Sequence, residues 1–71
     1  MKITSIKFHQ GSGMWHGHAV AAGKNHEWFY RPRERLLVRQ QDDINPKCWM
    51  NVETPEGARN AIVKAVRKAR S

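Results

Sequence analysis

Residues 3–8, ITSIKF, mix apolar and polar positions with β-branched and aromatic side chains that suit a pleated strand, and they stop at the glycine- and serine-rich residues 10–13. Residues 14–21 and 26–31 form two further strand-like runs on either side of Gly23-Lys24-Asn25, the pattern of a β-hairpin. Pro32 ends or edges the third strand because it donates no ladder hydrogen bond. Residues 35–40, RLLVRQ, predict a further strand, although Leu36-Leu37-Val38 alone also suits a helical turn. After the loop-like residues 41–47, QDDINPK, the strand pattern resumes over residues 48–53, CWMNVE.

The last quarter of the chain changes period. Thr54 offers an N-cap hydroxyl, Pro55 suits the first helical position, and Glu56 places an acid at the positive end of the dipole. Ala58, Ala61, Ile62, Ala65, Val66 and Ala69 then share one helical face, while Arg59, Lys64, Arg67, Lys68 and Arg70 lie elsewhere. The spacing predicts a helix over 55–70, with Gly57 a weak point costing about 1 kcal/mol against alanine. Its small buried residues imply close docking on a sheet. The expected fold is therefore α+β: one domain, 1–71, with a small antiparallel sheet of four or five strands and one C-terminal helix packed on one face.

The hairpin register decides which side chains meet. With Gly23 and Lys24 as the central turn residues, Ala22 faces Asn25, Ala19 faces Trp28, His18 faces Phe29, Gly17 faces Tyr30 and His16 faces Arg31. Trp15, Gly17, Ala19, Ala21, Trp28 and Tyr30 then share a face whose small residues leave room for rings under the helix. His16, His18, Val20, Glu27, Phe29 and Arg31 share the other, a mixed polar and aromatic surface. A three-residue loop instead moves His26, Trp28 and Tyr30 onto the histidine face.

Composition narrows the partners. The 71 residues carry 13 Lys and Arg against 6 Asp and Glu, a formal net charge of +7, which favours nucleic acid or an acidic protein surface as the partner. So short a chain buries little apolar surface, so its three tryptophans are expected to carry much of the core and a homodimer is an open expectation. The single cysteine, Cys48, excludes an intrachain disulfide and is expected as a small buried hydrophobe. No run approaches the roughly 20 apolar residues of a membrane span, and no apolar signal core follows Met1-Lys2-Ile3. The expected location is cytoplasmic.

Three chemistries compete for the histidines. His16-x-His18 puts two imidazoles on one side of a strand, but a zinc site needs three or four ligands, and His9, His26 and Cys48, the remaining completions, have no diagnostic spacing. No metal or cofactor is expected. Paired histidines acting as acid and base, with Arg31 or Lys24 on a phosphate, are the logic of a small metal-independent ribonuclease, yet no nucleophile or carboxylate constellation accompanies them. The expectation is a non-enzymatic protein. Binding needs less: Arg31, Arg33, Arg35 and Arg39 follow the hairpin, Lys24 sits at its tip, and Lys64, Arg67 and Lys68 add charge from the helix. His16, His18 and Phe29 between the cations can stack on or hydrogen-bond to bases. The competing reading of the same arginines is a solvated strand face. The binding reading requires the cations to converge on one side of the fold.

Residues 13–24, GMWHGHAVAAGK, and residues 53–61, ETPEGARNA, resemble the glycine-tryptophan strand, glycine-lysine turn and helix start of three-stranded-sheet-plus-helix DNA-binding domains, the plant ethylene-response-factor type and the arm-binding domains of phage integrases. An extra N-terminal strand and a longer connection over residues 30–46 depart from that pattern. The resemblance implies DNA more than RNA as the nucleic acid, and a sheet face in the DNA major groove, with His16, His18, Phe29 and Arg31 at the bases. The runner-up class is a phage or mobile-element accessory protein that binds a host complex, anti-CRISPR inhibitors among them, using its cationic face on an acidic groove.

Overall fold

The computed structural model describes all residues, Met1–Ser71. Five strands, β1 (Lys2–His9), β2 (Met14–Ala21), β3 (Lys24–Arg31), β4 (Arg35–Gln41) and β5 (Trp49–Val52), precede one helix, α1 (Ala58–Arg70). The strands form an antiparallel meander in the order β1-β2-β3-β4-β5. This is the expected α+β fold, with five strands. No helix is long and apolar enough to cross a membrane.

The helix covers one face of the sheet. Ala19, Trp28 and Val38 from β2, β3 and β4 meet Ile62 and Val66 of α1 in the core, and Ala58 extends the buried helical stripe at i, i+4 and i+8. Alternation along each strand sends the odd residues of β2 and the even residues of β3 and β4 to this face. Of the three tryptophans only Trp28 is fully buried; Trp15 flanks the core and Trp49 lies on the opposite sheet face. Cys48 is exposed in the β4–β5 connection, contrary to its expected burial.

The β2–β3 register differs from expectation by two residues. Ala22 and Gly23, not Gly23 and Lys24, occupy the turn, with Ala21 paired to Lys24, Ala19 to His26, His18 to Glu27, Gly17 to Trp28 and His16 to Phe29. Both turn residues have positive φ, 52° at Ala22 and 73° at Gly23, the signature of the primed turn whose twist matches a two-residue hairpin. Turn geometry overrode the preference of alanine for negative φ. A two-residue slip preserves the faces and changes only the partners. Replacing Ala22 by asparagine, which tolerates the left-handed region, is expected to raise stability by about 1 kcal/mol. The check is the urea unfolding midpoint: a lowered one contradicts the left-handed Ala22.

The helix also begins later than its sequence pattern implies. Gly57 sits at φ 77° and ψ −7°, without a side-chain cap, after a turn closed by the Ala58 N–H donating to the Pro55 carbonyl at 3.0 Å. Its own carbonyl accepts from Ala61 N–H at 3.0 Å, opening the helical ladder. Thr54 and Pro55 therefore do not cap or start α1. Gly57, expected as a mid-helix weakness, supplies a left-handed junction that suits glycine.

Candidate nucleic-acid interface

The sheet face away from α1 is uncovered, and the register builds rows across it. Lys7, His16, Phe29 and Leu37 form one row on β1 to β4; Ser5, His18, Glu27, Arg39 and Asn51 form the next on β1 to β5. His16 and Phe29 are stacked, with centroids 4.5 Å apart and planes within 6°. Trp49 reaches back from β5 toward β2, its ring centroid 6.0 Å from that of His18. The result is a mixed ring and cation surface on the uncovered sheet face.

At one end of this face the chain sets Arg31 directly opposite Arg35, an arrangement of like charges that costs stability unless an anion intervenes. Glu34 answers part of it, with its Oε2 3.1 Å from Arg31 Nε. Arg35 makes no ion pair. These two arginines and Arg39 line a hollow of about 330 Å³ whose other lining residues are Met14, Phe29 and Leu37. A mostly apolar hollow lined by three arginines accommodates a flat ring and an attached anion.

Glu27 is the one acid in these rows. Its Oε1 accepts from Arg39 Nη1 at 3.2 Å, and its Oε2 lies 3.7 Å from His16 Nε2. Arg39 is further fixed by donating Nη2–H to the Trp49 carbonyl at 3.0 Å. Ser5 Oγ accepts the His18 backbone N–H at 3.1 Å and lies 3.1 Å from His18 Nδ1. A bulge between Ile3 and Ser5 creates that pairing, consistent with the way bulges re-aim side chains.

The expected site residues divide. His16, His18, Phe29, Arg31, Arg35 and Arg39 come together on the uncovered face. Lys64, Arg67 and Lys68 do not join them, because α1 packs on the other face and directs them to solvent there. Arg33, at φ 66° in the β3–β4 turn, borders a depression with Arg67 and Arg70 on that helix side. Lys24 falls on the helix-side alternation of β3 and is tied to Asp43. The expected convergence of all cations on one side is thus corrected to two separate groups, and within the sheet group Arg31 and Arg39 each carry an acid partner.

His26, the third histidine of the hairpin, is a core residue, 3% exposed, whose Nδ1–H donates to the Lys24 carbonyl at 3.0 Å. The residues missed from sequence are Met14, which alternation along β2 already places with His16 and His18, and Lys7, Leu37 and Trp49, whose places follow only from sheet order and register. No protein-family model matches the chain, and neither a curated protein nor a solved structure does.

Proposed function

We propose that the chain binds nucleic acid without catalysing a reaction, holding a single strand across the uncovered sheet face. The observation that carries this reading is the hollow lined by Met14, Phe29 and Leu37 together with Arg31, Arg35 and Arg39. Phosphates engage the guanidinium groups and Lys7, and bases stack on the Phe29 and Trp49 rings, a mode that tolerates any sequence. Sheet width favours a single strand over groove entry: five strands about 4.8 Å apart span roughly 19 Å, against a major groove about 12 Å wide. Because Lys64, Arg67 and Lys68 lie on the other side of the sheet, this reading rests on the sheet cations alone.

Three or four phosphate contacts predict a log affinity falling with log salt at a slope of about −2 to −3, or a loss of about 20- to 50-fold between about 50 and 200 mM salt. The test is fluorescence anisotropy with labelled oligo-dT and oligo-U. Replacing both Arg31 and Arg35 by alanine is expected to flatten the slope by about 1.4, whereas replacing both Arg67 and Lys68 leaves it nearly unchanged. The proposal fails if neither oligonucleotide binds at low salt, or if the helix pair matters and the sheet pair does not.

A further inference from the structure

From the cluster beside this hollow we infer a second property, independent of nucleic-acid binding: His16, His18 and Glu27 form a site for a divalent first-row transition metal, zinc being the reference ion. One ligand atom from each of the three residues lies within 4.8 Å of the others. Two ligands at about 2.05 Å from a tetrahedral zinc stand roughly 3.3 Å apart, so the 3.7 Å between His16 Nε2 and Glu27 Oε2 is within a few tenths of an ångström of that spacing. The widest separation, at most 4.8 Å, leaves up to about 1.5 Å for side-chain rotation to close.

A second observation points the same way. His16 Nε2 is buried and has no hydrogen-bond partner, an arrangement that costs free energy unless something satisfies the atom. A metal does so directly. The flanking groups also suit it: with metal on His18 Nε2, the opposite ring nitrogen keeps its hydrogen and donates it to Ser5 Oγ, 3.1 Å away. Arg39 holds Glu27 Oε1 and leaves Oε2 for the ion. Outer contacts of this kind fix ring and carboxylate orientation in metal sites.

Two imidazoles and one carboxylate are a ligand set used by zinc with an open position and by other divalent first-row ions. The fourth position faces the uncovered sheet surface and takes water or an anionic oxygen. Arg39, whose guanidinium shares Glu27, lowers affinity by repulsion, so binding is expected to be reversible. Sequence spacing alone offered His9, His26 and Cys48 as completing ligands; the ligand comes instead from β3, across the strand from His18.

The test is calorimetric titration of the untagged, chelator-treated chain with zinc, repeated with cobalt to read the absorption of the bound ion. One ion per chain is expected, with at least about tenfold weaker binding in His16→Ala, His18→Ala and Glu27→Gln and no such loss in His9→Ala or Cys48→Ser. Imidazole nitrogen spectra of the wild-type chain supply a readout free of folding effects: zinc must shift His16 and His18 and leave the core His26 unmoved. Absence of binding at micromolar zinc overturns the site. So does binding that survives loss of both His16 and His18, or that depends on His9 or Cys48.

Discussion

Gly17→Ala is expected to leave the chain largely unfolded. A Cβ at this position collides with the Ser5 carbonyl oxygen and stands 2.6 and 2.9 Å from two atoms of the Trp28 ring. The first contact is with backbone, so no rotamer change relieves it; β1 must move away from β2 at the bulge. Overpacking of this kind costs about 3 kcal/mol or more when backbone is forced aside. A 71-residue chain at about 0.05–0.15 kcal/mol per residue has only some 4–11 kcal/mol in total. The measurement is urea unfolding followed by far-ultraviolet circular dichroism, in which the wild type gives a cooperative transition and the variant a lost or sharply lowered one. Trimming Trp28 to phenylalanine in the same chain is expected to recover little, because the Ser5 carbonyl still blocks the site. A wild-type midpoint for Gly17→Ala would mean that β1 does not approach β2 as closely as the bulge requires. The same close approach carries Ser5 to His18, so the glycine links the fold to the candidate metal ligands.

The strands and the helix were legible because their periods differ. Met14–Ala21 matched its expected limits, and the buried Ala58, Ile62 and Val66 all came from the predicted helical stripe. Registers and junctions were less legible, for local reasons. Ala22 accepts a positive φ that alanine resists in isolation, and the gain came from pairing eight-residue strands on both sides. Gly57 marks a left-handed junction, which a helical pattern run through it conceals. At the site, alternation alone put His16, His18, Phe29 and Arg31 on one face. Charge counting could not separate the sheet cations from Lys64, Arg67 and Lys68, since which side a helix covers depends on packing. Glu27 was placed on the correct face, yet its meeting with His18 required the true register.

Trp28 and Trp49 provide the sharpest contrast between fold and surface. Trp28 is 0% exposed at the centre of the core, packed over Gly17, and its Nε1–H donates to the His18 carbonyl at 3.3 Å. Trp28→Ala removes a large buried ring from a domain with few others and is expected to cost about 3–5 kcal/mol, enough to abolish the cooperative transition in urea. Trp49 is half-buried on the short edge strand, and only its backbone carbonyl holds Arg39. That hydrogen bond survives truncation of the side chain, so Trp49→Ala is expected to cost about 1 kcal/mol and to keep a cooperative transition. It is also expected to weaken single-strand binding by about 1–3 kcal/mol if one base stacks on the indole. Measured together, unfolding and anisotropy separate the two tryptophans: one holds the helix on the sheet, the other offers a ring on the side the helix leaves open. Equal stability losses in both variants would place Trp49 in the core; an unchanged affinity in a folded Trp49→Ala chain would remove its ring from the binding surface.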